Sequence, residues 1–450
     1  MTKVGLVFLG CPKNLTDFQV TASYLLEAGY DVGVAPEEAD VILVTTCAFI
    51  ESARQEAAAA IEHAVAVKKD SGTPCRAVIV AGCIPQRYRE RVFDQFPDVD
   101  GIAGVDDLDC IDSLIEAVLS QDGTYVNGVS KGVSKRVFTA PDPTLLLTKA
   151  PFAYLKIAEG CRHACAFCAI PGIRGRLRSR SVSEIVVEAK TLLKAGVKEL
   201  AVIAQDVTAY GQDFKDGTTL STLLKKLDAL RGDFRMRLLY GHPAGITDEL
   251  LDTIASSKHI LPYFDIPLQH SDPGVLKAMH RLDTVKLVPD MVKRIRAKLP
   301  NAVLRTTILV GFPGETRESQ EHLLAFLKEN RFDHLGCFVF SREEGTAAWS
   351  MPKRVSEKTA KKRRDEVMTL QAGINAELQA SLIGSEDTVL LTEAPETAQG
   401  LWKGFATRQA PDDIDGITFV SGVPEDAQIG SFVRVRYTGV RDYDLQAEAL

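Results

Sequence analysis

No apolar run in this chain approaches the ~20 residues that a membrane-spanning helix requires, which excludes a helical span from these 450 residues. The stretch "VFLGC" imitates a lipoprotein cleavage box, but its apolar run, Val4 to Leu9, is shorter than the roughly 7–15 residues of a signal peptide. The expected compartment is the cytoplasm. A large excess of one charge is also missing: 53 Lys and Arg face 60 Asp and Glu, a net charge of −7. With 45% apolar and 25% charged residues, the composition is that of an ordinary globular protein. The length suggests two to four domains, with ample core for each.

Cysteine is not scarce. Nine occur, and without a secretory signal they argue against a disulfide scaffold and for metal binding or catalysis. Three close strand-like apolar runs: "KVGLVFLGC" ends at Cys11, "VILVTTC" at Cys47 and "RAVIVAGC" at Cys83. Both intervals are 36 residues, which suits one strand, a crossover helix and the next parallel strand. Continuous Val, Ile and Leu runs mark parallel strands covered by helices on both faces. "DFQVTASYLLEAGY" and "ESARQEAAAAIEHAVAVKK" supply those helices. Ligands of such sheets bind beyond the carboxyl ends of the strands, so the three thiols are expected to converge. The alternative is three unrelated thiols packed as small hydrophobes. Cys75, Cys110 and Cys337 follow no ligand pattern, and Cys337, in "LGCFVF", reads as core.

A second trio, Cys161, Cys165 and Cys168, lies in "EGCRHACAFCAIPGIRGR". This C-x3-C-x2-C spacing lets one loop wrap one metal centre, and soft thiolates select zinc or iron–sulfur clusters. A structural zinc needs four ligands, and His163 is the local candidate for the fourth. Three thiolates on a four-iron cluster instead leave one iron open for a substrate. The spacing, with Phe167 just before the last cysteine, resembles the radical S-adenosylmethionine superfamily. That resemblance implies a partial (β/α) barrel whose first strand is "FAYLKIAEG", an open iron that chelates S-adenosylmethionine, and reductive cleavage to a 5′-deoxyadenosyl radical. The strand-like segments "ELAVIAQD", "RMRLLYG", "YFDIPLQH", "LRTTILVGFPGE" and "HLGCFVF" alternate with helical ones, as a parallel sheet requires. By the same resemblance, Phe167, Gln205 and Asp206 are cofactor-binding candidates. Ile308, Gly311 and Glu315 match a G-x-I-x-G-x-x-E-like strand near the adenosine, with Thr306 in place of the first glycine. Each could equally cap a strand or a helix.

"VNGVSKGVSKRVFTAPDPTLLLTKA" lacks helical periodicity and reads as a linker over 126–148. The basic run "KRVSEKTAKKRR" at 353–364 opens a helix reaching about Leu382; it reads as a solvated face or a nucleic-acid or ribosome contact. From about 384, short strands separated by turn residues predict a small antiparallel barrel, which resembles the TRAM domain of RNA-modifying enzymes. From Ile383 to Leu450, twelve Asp and Glu face five Lys and Arg, so this segment carries the whole −7. Such a surface repels phosphates and attracts a basic protein. Asp412, Asp413 and Asp415, beside Gly416, are the expected contacts.

The division is thus 1–125, an α/β three-cysteine domain; 126–148, linker; 149–382, the partial barrel with its trailing helix; and 383–450, the β-barrel. Together these resemble the methylthiotransferases over essentially the entire chain. The resemblance implies two four-iron four-sulfur clusters, on Cys11, Cys47 and Cys83 and on Cys161, Cys165 and Cys168, with S-adenosylmethionine as cofactor. It further implies a monomer served by an electron donor such as flavodoxin or ferredoxin. "LGCPKN", "TTCAFIESA" and "DIPLQHSDPGVLKAMHR" resemble the branch that methylthiolates an aspartate β-carbon of small-subunit ribosomal protein S-twelve, free or in the small subunit. The branch that modifies a tRNA adenosine typically has G-C-Q-M-N at the first cysteine. The alternatives are that tRNA enzyme and a non-catalytic, metal- or cluster-carrying RNA-binding protein.

Overall fold

The computed structural model describes residues 1–120, 125–130, 151–397, 400–412 and 414–450, apart from the side chains at 282, 283, 285, 286 and 289. Six parallel strands form the first sheet: β1 (Lys3–Phe8), β2 (Asp31–Val34), β3 (Val41–Thr46), β4 (Ala77–Gly82), β5 (Gly101–Ala103) and β6 (Val126–Asn127). Their order is β2-β1-β3-β4-β5-β6. Every residue of β3 and β4 is buried, because alternate side chains meet helices on opposite faces. Ile42, Val44, Val78 and Val80 pack with Ala57 and Ile61 of the helix Glu51–Lys69. Val41, Leu43, Ala77 and Ile79 pack with Leu25, Leu114 and Ile115 on the other side. The chain leaves β1 toward β2 on one flank and returns for β3 on the other. That reversal makes a topological switch point between β1 and β3, where such sheets bind ligands. β6 lies inside the segment read as linker and pairs with β5, so the first domain runs past residue 125; residues 131–148 of that expected linker lie outside the described residues.

The second sheet holds β7 (Phe152–Lys156), β10 (Glu199–Ile203), β11 (Arg235–Leu238), β12 (Ile260–Asp265), β13 (Val303–Val310) and β14 (His334–Val339), all parallel and in sequential order. A short ribbon, β8 (Ala158–Glu159) with β9 (Arg178–Ser179), brackets the second cysteine loop. The sheet curls without closing, as a partial barrel. Outward residues such as Leu155, Val202, Met236 and Leu304 face the surrounding helices. Inward ones, among them Phe152, Tyr154, Ile203 and Tyr263, share a core with Phe405 and Ala410 of the third domain. That domain is a closed antiparallel-rich barrel of β15 (Glu386–Glu393), β16 (Trp402–Ala406), β17 (Thr418–Ser421), β18 (Phe432–Arg441) and β19 (Asp444–Ala449). Among the described residues no helix is long and apolar enough to cross a membrane.

The loop after β16 enters the interior of the partial barrel. Glu199, fully buried, pairs with Arg235 at 2.5 Å and Arg237 at 2.9 Å. The two guanidinium groups go on to donate to the carbonyls of Phe405 (2.8 Å) and Thr407 (3.0 Å). This corrects the expectation for the aspartates of that loop. Asp415 is buried, accepts from Tyr263 Oη and the Ala410 N–H, and pairs with Arg305 at 3.1 Å. It faces the barrel, where Arg305 and Tyr263 match its charge, and not a partner in solution. Asp412 is exposed and accepts from Tyr154 Oη at 3.2 Å, while Asp413 lies outside the described residues. In the basic run, Arg363 is likewise buried against Glu315, at 3.1 Å. Replacing Asp415 with Ala leaves Tyr263 without its acceptor and Arg305 with Asp265 as its remaining carboxylate, and the expected cost is about 3 kcal/mol. A thermal melt should show a lowered midpoint, and limited proteolysis should release the third domain earlier.

Candidate active site

Three adjacent strands deliver the first trio. Thr46 at the end of β3 is in register with Gly82 at the end of β4, so Cys47 and Cys83 emerge side by side. Cys11 follows β1 as the N-cap of the helix Pro12–Glu27. Gly82 has φ +93°, and a β-carbon there would stand 2.9 Å from the Thr46 carbonyl oxygen; only glycine lets the two strand ends close up before Cys83. Asn14 ties the trio together. Its Oδ1 lies 3.7 Å from the sulfurs of both Cys11 and Cys83, and its Nδ2 donates to the Thr46 carbonyl at 3.0 Å.

The second trio sits on the loop after β7 and β8. Gly160, at φ +75°, passes so close to Arg176 that a β-carbon would stand 2.2 Å from its carbonyl oxygen. The Cys161 N–H then bonds the Gly175 carbonyl at 3.1 Å. Arg281 reaches Cys165 Sγ at 3.7 Å and the Pro267 carbonyl at 2.8 Å. His163 bonds Asp206 at 2.7 Å and stacks on His242, ring centroids 3.9 Å apart. Its Nε2 is thereby held by a carboxylate.

Both trios line one cavity of about 470 Å³. All nine cysteines are free. Among the described residues no three His, Cys, Asp or Glu side chains gather closely enough for a single metal ion, as thiolates on separate irons of a cluster need not. Phe167, Gln205 and Asp206, the cofactor-binding candidates of the sequence, are on the cavity wall. Gln205 donates to Glu159 at 2.5 Å, and its buried Oε1 has no partner among the described residues. Ile308, Gly311 and Glu315 stand behind the wall: Ile308 is fully buried, and Glu315 caps the N–H groups of Gly311 (2.5 Å) and Phe312 (3.1 Å). Thr306, where the pattern has glycine, donates to the Ile266 carbonyl at 2.9 Å and joins β13 to the end of β12.

Spacing did not reveal the charged residues between the trios. Arg174 pairs with Asp17 and Glu159 at 2.9 Å each, donates to Asn14 Oδ1 at 2.5 Å and approaches Cys83 Sγ at 3.7 Å. Lys156 pairs with the same Asp17 and Glu159. Burial raises the Cys83 thiol and pushes Cys47 and Cys161 up to about 11 and Cys168 up to about 12. Burial would raise Cys11 as well, but Lys13 and Arg174 outweigh it and leave that thiol below its ordinary value. Burial, with Arg281 and His163 nearby, lowers His242 from 6.5 to about 3.

Models of three families match the chain: uncharacterized protein family UPF0004 at residues 3–104, the radical SAM superfamily at 155–327 and the TRAM domain at 383–450. The ribosomal protein uS12 methylthiotransferase RimO of Syntrophus aciditrophicus (strain SB) is 42% identical over 449 residues, covering 100% of this chain and 98% of its own. The protein of the same name from Geotalea uraniireducens (strain Rf4) is 41% identical, covering 99% of this chain and 98% of its own. Among solved structures, the radical S-adenosylmethionine methyltransferase TsrM from Kitasatospora setae, with tryptophan and aza-SAM bound, has a TM-score of 0.56 at 13% identity, over 91% of this chain and 80% of its own. OxsB, a cobalamin-dependent S-adenosylmethionine radical enzyme, has a TM-score of 0.54 at 15% identity, over 82% and 56%. At these identities the two structures share the fold.

His242 generates a pH prediction. Its folded pKa of about 3 lies below its ordinary 6.5, so in that window the unfolded chain takes the proton and the folded chain does not. Stability is therefore lost as pH falls from 6.5 toward 3, by on the order of 3–5 kcal/mol from this group. Chemical denaturation across that range should show a shallower acid loss for His242→Asn than for the unaltered protein.

Proposed function

The chain belongs to the ribosomal protein uS12 methylthiotransferases, a family of radical S-adenosylmethionine enzymes, and from that premise we propose how its residues place a methylthio group on an aspartate β-carbon of uS12. One observation carries the reading: two cysteine trios from two domains line a single cavity. Cys11, Cys47 and Cys83 hold one four-iron four-sulfur cluster, and Cys161, Cys165 and Cys168 hold the other. The donor set fits, since every ligand is a soft thiolate in reach of a buried cation. When bound, the clusters and S-adenosylmethionine supply the electron, the radical and the methylthio group. An unactivated C–H bond offers no acidic proton, so general acid–base catalysis cannot open it, and the protein contributes orientation and exclusion of water.

The residues divide that work. Raised thiols must lose their protons to become ligands, so loading a trio releases protons. Arg174 and Arg281 then offset the negative charge at Cys83 and Cys165. The unpartnered Oε1 of Gln205 is an acceptor for the amino group of the cofactor, beside Asp206 and Phe167. Ile308, Gly311 and Glu315 shape the strand end behind this wall, with Thr307 and Gln269 facing the cavity itself. Phe49, Phe167, Ile170, Ile173 and Phe338 keep the reacting centre dry.

The partner is uS12, free or in the small subunit, and the −7 charge of residues 383–450 steers a cationic protein toward the site. A flavodoxin or ferredoxin supplies electrons, and the enzyme works as a cytoplasmic monomer. Anaerobic reconstitution should give about eight irons per chain. Changing Cys161, Cys165 and Cys168 to Ala should halve the iron and abolish 5′-deoxyadenosine. Changing Cys11, Cys47 and Cys83 to Ala should also halve it, stop methylthiolation of uS12, and spare cofactor cleavage. If the reconstituted enzyme never yields 5′-deoxyadenosine, or the second variant keeps all its iron, the reading fails.

A further inference from the structure

One cation on the cavity wall, beyond its field on Cys11, binds nothing in this scheme. Lys13 stands two residues after Cys11, in the first turn of the helix Pro12–Glu27, and lines the cavity with both trios. Its Nζ lies 3.4 Å from the centroid of the Tyr240 ring. Among the described residues its ammonium has no hydrogen bond or ion pair. The other cations of the wall are committed: Arg174 to Asp17 and Glu159, and Arg281 to Cys165 and the Pro267 carbonyl.

The seat of Lys13 is also constrained. Tyr240, just past β11, has φ +66°, a conformation that costs a non-glycine residue of order 1–3 kcal/mol and recurs where a ligand is clamped. Its N–H is fixed by Asp265 Oδ2 at 3.0 Å. A ring face attracts an ammonium without using its N–H donors, and an ammonium has three. Lys13 is thus positioned by the ring with donors left over, on a wall shared with Cys11 and Cys165. The complementary ligand is a carboxylate on the first-trio side of the cavity, away from Arg281.

We propose that Lys13 binds the side-chain carboxylate of the target aspartate and thereby selects aspartate and sets its β-carbon between the two trios. The inference rests on the uS12 reading above. Methionine is the uncharged near-isostere of lysine, so Lys13→Met removes the charge and keeps the packing, while Lys13→Arg keeps the charge. The test uses the reconstituted enzyme without reductant, so that binding is read without turnover, and intact uS12 carrying either its target aspartate or asparagine there.

The unaltered enzyme should prefer the aspartate form by roughly 30-fold or more, the range for losing one partner of a desolvated charge pair. Lys13→Met should bring the ratio near 1 with iron content unchanged, and Lys13→Arg should retain most of the preference. The proposal is overturned if the unaltered enzyme shows no preference, or if Lys13→Met keeps it. It is also overturned if Lys13→Met loses the iron of the first trio, since the lysine then serves the cluster. If the unaltered enzyme neither binds nor methylthiolates uS12, the functional reading itself falls.

Discussion

Four buried charges hold the two halves of the site in one geometry. Asp17 comes from the first domain, and Lys156, Glu159 and Arg174 from the partial barrel; their residues are 3–7% exposed. Two negative and two positive groups cancel, which is what makes their burial tolerable, since an unpaired charge here would cost several kcal/mol. The pairing is also directional, because the planar guanidinium of Arg174 must meet Asp17 and Glu159 while reaching Asn14. Asn14 in turn touches Cys11 and Cys83. The position of the first trio relative to the second is therefore set by a hydrogen-bond chain without slack. Across the barrel mouth, Glu343 takes both Arg54 and Arg87 of the first domain, and fixes the other flank.

The third domain answers a different need. A partial barrel leaves its inward side chains without the layered packing that fills a closed one. Here Phe152, Tyr154 and Tyr263 are covered by β16 and the loop after it, through Phe405, Ala410 and the buried Asp415. The segment with the strongest negative charge thus spends part of it on Arg305 inside the molecule. Leu15, on the helix that begins with the Cys11 loop, packs into the same core. Third domain and first trio are accordingly neighbours through the barrel interior, though 383 and 11 are far apart in the chain.

Much of this was written in local pattern. The two 36-residue intervals, the apolar runs and the C-x3-C-x2-C spacing are short-range features, and each survives folding because parallel strands in register carry equal offsets to one sheet edge. The glycines before Cys83 and Cys161 belong here too, since their positive φ is a property of single residues. Fold class and the convergence of the strand-end thiols were legible for that reason. What periodicity cannot carry is which distant charge a buried charge will meet. Asp415, beside Gly416, reads as a contact for a basic partner, and becomes a barrel residue only because Arg305, 110 positions earlier, faces it. Glu315 and Gly311 match a cofactor pattern, and that pattern does not say that the first caps a turn and pairs with Arg363. Arg174 and His242 carry no spacing signal at all, and "LGCPKN" places Lys13 beside Cys11 without saying what it faces. Their partners lie on other domains or other strands, and burial, which makes a charge choose its partner, exists only once those surfaces have met.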